Sequence, residues 1–152
     1  KQGGFDHRFL HLARKINSTM PSYVVEVLQD ELNKLGKALS QTKVGILGCS
    51  YKKNVGDVRE SPALKVIELL EKKCPTIKIY DPHVEDMSTC LDLPELISNS
   101  EVLVILTSHD QFTKMNLHLL KEHGINLIID TRNCLNAKDV KSCGIMYKGI
   151  GQ

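Results

Sequence analysis

The chain has 152 residues, enough for one full domain with an appendage, and its 41% hydrophobic and 25% charged content is that of a globular protein rather than a disordered one. A formal net charge of +2 excludes the strongly basic face of a nucleic-acid or membrane-surface binder. No apolar run approaches the ~20 residues needed to span a bilayer, and the five cysteines, odd in number and without a CxxC pair, read as free thiols of a reducing cytoplasm.

The chain opens Lys1-Gln-Gly-Gly4 without an initiator Met, which fits a trimmed tag or a piece of something longer. A weak helical pattern covers about Phe9–Ile16. Ile16-Asn-Ser-Thr-Met-Pro21 then supplies a capping Ser/Thr and a Pro near a first helical turn. From Tyr23 to Leu35 the apolar residues Val24, Val25, Val27, Leu28, Leu32 and Leu35 recur at helical spacing, and Gly36 suits the C′ position. This helix has one apolar stripe and no partner next to it in sequence, so exposed hydrophobic surface and self-association are expected of it.

After Gln41 short apolar runs alternate with helices. Val44–Leu47 reads as a buried strand, and Ser61-Pro62 opens an amphipathic helix running to about Lys73. Ile77–Tyr80 is a second strand, stopped by Asp81-Pro82, and Asp92–Ser98 a short helix. Val102–Leu106 is an apolar strand of the buried parallel type. Met115–His123 reads as a helix, Asn126–Ile129 as a fourth strand and Ile145–Tyr147 as a fifth. The alternation predicts an α/β fold, a doubly wound, Rossmann-like parallel sheet of about five strands over 42–152, preceded by a helical segment over 1–41.

In such sheets ligands bind at the carboxyl ends of the strands. Gly48-Cys-Ser-Tyr-Lys-Lys53 and Asn54–Glu60 follow the first strand, Asp81-Pro-His83 the second, Thr107–Asp110 the third and Asp130–Asn133 the fourth. Gly48 and Gly56 suit a loop whose N–H groups approach a ligand, Lys52 adds a mobile positive charge, and Arg132 adds a second cation on the same edge. Gly45 and Gly48 do not complete G-x-G-x-x-G, nor Gly48–Lys52 a P-loop. Asp81 stands where a ribose-binding acid often lies, although Asp-Pro is also an ordinary strand stop. Asp57, Arg59 and Glu60 read as catalytic groups or as an ion-pair and capping cluster. His83 and His109 are the histidines on the ligand edge, none of the six has zinc-like spacing, and no metal site is expected. Cys49 is a nucleophile if Lys52 and Lys53 lower its pKa, and otherwise a small buried side chain.

The run from Lys43 through Gly48-Cys-Ser-Tyr-Lys-Lys53 and Asp57-Val-Arg-Glu-Ser61 to Ala63 resembles the C-terminal, UDP-sugar-binding domain of the UDP-glucose/GDP-mannose dehydrogenase family. That pattern is a strand, Gly-x-Ala-Tyr/Phe-Lys, a polar stretch and Asp-x-Arg-Glu-Ser. Gly48, Tyr51, Lys52, Asp57, Arg59, Glu60 and Ser61 fit it. Ile79-Tyr-Asp-Pro82, the apolar strand before Thr107, Asp130-Thr-Arg-Asn133 and Tyr147-Lys-Gly-Ile-Gly151 continue the match. Ile16–Pro21 with Val24-Val25 resembles the end of the central dimerisation domain, as in the subgroup acting on UDP-N-acetyl-mannosamine or UDP-N-acetyl-glucosamine. The resemblance covers essentially the whole chain.

It implies an NAD-dependent, four-electron oxidation of a sugar C6 alcohol to a carboxylate, through a thiohemiacetal and a thioester on a catalytic Cys. By the same resemblance Tyr51, Lys52 and Arg132 contact the UDP-sugar, while Gly48, Asp57 and Arg59 support the loop. The family's NAD fingerprint, general acid/base Lys and nucleophilic Cys lie N-terminal to the matched region. No catalytic residue and no NAD site is therefore expected here, and the isolated stretch is expected to be inactive. Ser50 and Cys49 depart from the family's Ala and apolar residue. The implied partners are a UDP-sugar and further copies of the chain through the central helix, with no nucleic acid or membrane, in the cytoplasm. The alternatives are a stand-alone regulatory or sensory nucleotide-binding module and an inert scaffold.

Overall fold

The computed structural model describes residues 20–150. A helix over 20–34 (α1) leads through a short 3₁₀ turn at Leu39–Gln41 into β1 (Val44–Leu47). There follow α2 (Pro62–Lys73), β2 (Ile77–Tyr80), α3 (Leu93–Ser98), β3 (Val102–Ile105), α4 (Asp110–Thr113), α5 (Leu117–Glu122), β4 (Leu127–Asp130), α6 (Ala137–Ser142) and β5 (Met146–Gly149). The five strands form one all-parallel sheet in the order β2-β1-β3-β4-β5. The chain leaves β1 for β2 on one side and returns to β3 on the other, so strand order reverses between β1 and β3. A crevice at the carboxyl end is expected there.

The local chemistry explains the boundaries. Ser61 caps α2 by accepting the Ala63 N–H, with Pro62 at the first helical position. Asp92, Asn116 and Asn136 cap α3, α5 and α6 in the same way. At the end of α1, Gly36 has φ +71°, and the Lys37 and Gly36 amides donate to the Leu32 and Asn33 carbonyls. This double bond closes the helix in a Schellman turn, the role expected of Gly36.

Alternation along the strands divides the core into two faces. Val44, Ile46, Val102, Val104, Leu127 and Ile129 lie buried with residues of α2 and with Val24, Val25, Val27, Leu28 and Leu32 of α1. Leu47, Leu103, Ile105 and Ile128 pack on the other face with Leu96, Phe112, Leu120 and Val140. The apolar stripe of α1 is therefore covered within the chain, contrary to the expectation of exposed hydrophobic surface. A sheet buried on both faces needs more cover than α2 alone provides, and α1 supplies it. Each fully buried Leu or Val contributes on the order of 1.5–3 kcal/mol.

β3 ends one residue earlier than the apolar run suggested, β4 lies one residue later, and β5 starts one residue later and ends two later. The helix expected over Met115–His123 is shorter, and α4 precedes it as a separate turn. Four residues are too few to show a helical period. The weak helix over Phe9–Ile16 lies outside the described residues.

Candidate functional site

The carboxyl ends of β1, β3, β4 and β5 open onto a cleft of about 870 Å³. Its walls are the first turn of α1 (Met20, Pro21, Val24), the first turns of α2 (Pro62, Ala63, Lys65, Val66), and Tyr51, Glu60, Leu106, Thr131, Arg132 and Ile150. The positive end of the α2 dipole thus faces the cleft. Tyr51 and Arg132 are both on its wall, and Tyr51 remains 45% exposed. Lys52 is exposed on the same loop and is not part of the wall.

Arg132 does more than present a charge. Its Nε–H donates to the Leu106 carbonyl (3.0 Å) and Nη2 to the Tyr51 carbonyl (2.9 Å), tying the ends of β3 and of the β1 loop to the β4 loop. Nη1 makes no hydrogen bond among the described residues, so one edge of the guanidinium is available to an anion.

The two loop glycines serve packing rather than ligand approach. A Cβ on Gly48, at φ +90°, would lie 2.5 Å from Thr107 Cβ, and one on Gly56 would collide with the His83 carbonyl. Nor do the following amides point outward. Cys49 N–H (2.8 Å) and Ser50 N–H (3.2 Å) donate to Oδ2 of Asp81, whose Oδ1 accepts the His83 N–H (2.8 Å). Asp81 is buried, with its carboxylate turned into the protein, which supports the structural reading over a ribose contact. Burial opposes its charge, but hydrogen bonds from His109 and from the Cys49 and His83 amides outweigh that and hold the carboxyl down at about 2.

His109 is buried beside it. Nδ1 accepts the Asn54 N–H (2.7 Å), which leaves the ring proton on Nε2, 3.0 Å from Asp81 Oδ2 and 3.2 Å from Ser50 Oγ. Ser50 donates its hydroxyl to the Lys52 carbonyl (3.0 Å), and Thr107 donates to the Ser50 carbonyl (2.7 Å). Ser61, the cap of α2, donates to the Cys49 carbonyl (2.9 Å).

Cys49 is not an activated thiol. Burial, reinforced by the Asp81 carboxylate, pushes it up to about 12, so of the two readings the structure supports the small buried side chain. Burial and Asp130 do the same to Cys134, also to about 12. Asp57 and Arg59 form an exposed bidentate pair, 3.1 and 3.0 Å, that holds the Asp57 carboxyl down at about 2. The Asp57 carbonyl accepts the Tyr51 N–H (2.9 Å), a backbone contact separate from the carboxylate–guanidinium pair. Glu60 stands at the cleft with φ 58°. Among the described residues no group of three or more His, Cys, Asp or Glu is placed to hold a metal ion, and no helix is long and apolar enough to cross a membrane.

Sequence analysis missed the wall supplied by α1, because nothing local relates Met20 to strand ends more than 80 residues further along the chain. Thr131 follows β4 and falls under the carboxyl-end rule, whereas Leu106 reads from the sequence as the last residue of the third strand.

The model of the UDP-glucose/GDP-mannose dehydrogenase family's UDP-binding domain matches residues 45–137, more than half of the chain. The chain belongs to this family. It is 37% identical over 149 residues to the UDP-N-acetyl-D-mannosamine dehydrogenase of Methanococcus maripaludis (strain C7), covering 95% of this chain and 34% of that one. Among solved structures it is similar to the UDP-D-ManNAc dehydrogenase of Pyrococcus horikoshii, with a TM-score of 0.84, 31% identity and coverage of 92% and 32%. It is likewise similar to the NDP-N-acetyl-D-galactosaminuronic acid dehydrogenase of Methanosarcina mazei Go1, with a TM-score of 0.86, 29% identity and coverage of 93% and 31%. The chain thus spans about a third of the length of the relatives it matches.

Proposed function

We propose that this chain is the C-terminal, UDP-sugar-binding part of a nucleotide-sugar 6-dehydrogenase, which oxidises the sugar C6 alcohol to a carboxylate with two NAD. The observation that carries the proposal is the cleft at the carboxyl ends of β1, β3 and β4, walled by Tyr51 and Arg132 in a chain of this family. Tyr51 offers an aromatic face to the nucleotide, Arg132 a guanidinium edge that is unbonded among the described residues, and Lys52 a charge on the neighbouring loop position. Gly48, Asp57 and Arg59 hold the loop in shape.

NAD does not fit the turn after β1. Thr107 occupies the space beside Gly48, and the Cys49 and Ser50 amides are committed to Asp81 rather than to a pyrophosphate. NAD and the nucleophilic Cys are accordingly assigned to an N-terminal portion of the full protein, and none of the cysteines here is given that role. We read 1–41 as the tail of the central dimerisation domain, through which the cytoplasmic protein forms a homo-oligomer, and 42–152 as the UDP-sugar-binding domain. No observation favours a stand-alone regulatory module.

Titration calorimetry of UDP into the chain tests the site. Lys52→Ala and Arg132→Ala should each weaken binding by roughly 1–3 kcal/mol, the range for hydrogen bonds to charged groups. Affinity left unchanged in both variants would sink the residue assignment.

A further inference from the structure

The loop that carries Tyr51 and Lys52 is exposed from Tyr51 to Gly56, yet several backbone polar groups of the Cys49–Asn54 stretch are bonded by side chains, most of them from elsewhere in the fold. Cys49 and Ser50 N–H go to Asp81, Asn54 N–H goes to His109, and the Lys52 carbonyl is bonded to Ser50 Oγ, itself 3.2 Å from His109 Nε2. Asp81 follows β2 and His109 follows β3, the strands on either side of β1. The Asn54 side chain completes the connection by accepting the Asp110 N–H (3.1 Å), while its backbone sits at φ 58°. The rings of His83 and Phe112, 4.7 and 5.5 Å from that of His109, close the site off.

A buried polar pair of this kind adds little net stability over well-packed apolar side chains of the same volume. What it does supply is direction, because each of its atoms accepts or donates at one place on the loop. We infer that His109, backed by Asp81, is a positioning residue that sets the binding shape of the Tyr51–Lys52 loop. The inference rests on the reading of that loop as a nucleotide-sugar contact. His109 touches no ligand in this scheme and acts through Asn54 and Ser50.

Variants can divide the two halves of the imidazole. His109→Asn keeps an acceptor near Nδ1 and loses the Nε2–H. His109→Gln keeps a donor near Nε2 and loses the acceptor, and His109→Phe loses both. Amide hydrogen exchange on the chain should show the Asn54 N–H protected in wild type, about tenfold faster in His109→Phe and His109→Gln, and restored in His109→Asn. Long-range nitrogen–proton spectra should show the wild-type ring proton on Nε2. UDP affinity should fall about tenfold in His109→Phe and recover in part in His109→Asn, without following the order of the variants' unfolding midpoints. Unchanged Asn54 protection in both His109→Gln and His109→Phe would overturn the proposal. A loss of affinity that merely tracks global stability would overturn it as well. If wild type binds no UDP, the reading of the site fails, and exchange at Asn54 still decides the role of His109.

Discussion

Asp81 and Asp130 stand at the carboxyl ends of β2 and β4, the strands that flank the central β1–β3 pair, and both are buried. Each accepts backbone amides with both oxygens. Asp81 takes those of Cys49, Ser50 and His83, and Asp130 those of Arg132 (3.1 Å) and Leu135 (2.9 Å). Each also has an aromatic side chain as a further partner, His109 for Asp81 and Tyr147 for Asp130 (2.8 Å). They differ in reach. Asp130 folds its own following loop, an Asx-type closure over two to five residues, and only Tyr147 comes from another strand. Asp81 organises a loop about 30 residues away, through contacts that exist only once β2, β1 and β3 lie side by side. Asp130 therefore shapes the Arg132 loop mainly through local contacts and Asp81 shapes the Tyr51 loop mainly through tertiary ones, while the Arg132 side chain itself reaches Leu106 and Tyr51 across strands.

Removing the Asp81 charge should have the largest effect. Asp81→Asn leaves buried amides facing an NH₂ group or an uncharged oxygen and should cost about 3 kcal/mol, read as the shift in the urea midpoint. The same carboxyl gives a pH signature. Its folded pKa, about 2, lies below its ordinary value of 3.8, so its stabilisation of about 2 kcal/mol is complete above pH ~4 and is lost as pH falls toward 2. Wild type should lose stability faster than Asp81→Asn across that window, and parallel curves would contradict the assigned role.

Tyr147→Phe tests the other carboxylate more gently. The hydroxyl donates to Asp130 Oδ2, and burial together with that bond raises the phenol's pKa. Its loss should cost about 1–2 kcal/mol in thermal or urea unfolding, with the Asp130–Leu135 closure left in place. A loss as large as that of Asp81→Asn would erase the distinction between the two sites. Arg59→Ala should have the smallest effect. Its partner Asp57 is paired at the surface, and the stability change should stay within about 0.5 kcal/mol by the same measurement.

The elements themselves were legible because their signals are local. Short stretches rich in Val, Ile, Leu and Tyr marked Val44–Leu47 and Ile77–Tyr80, and Ser61-Pro62 marked the start of α2 to the residue. Of the residues on the cleft wall, Arg132 was singled out because it follows a strand, where the carboxyl-end rule needs no three-dimensional information, and Tyr51 through the family resemblance. The purposes of Gly48 and Gly56 were misjudged, since the atoms that exclude a Cβ there belong to Thr107 and His83. Cys49 was open to either reading because the sign of its shift depends on a carboxylate brought in from β2.

Taken alone, the sequence determined the family, the α/β alternation, the helix caps and the strand-end loops that face the cleft, because spacing, capping chemistry and short motifs express each of these within a few residues. The tertiary structure decided the rest. The order β2-β1-β3 brings Asp81 and His109 together, 3.0 Å apart, against the Ser50–Asn54 loop, and the return of α1 over the sheet covers the helix's apolar stripe and completes the cleft. These outcomes depend on which buried surfaces meet across long stretches of chain, and no local pattern carries that information.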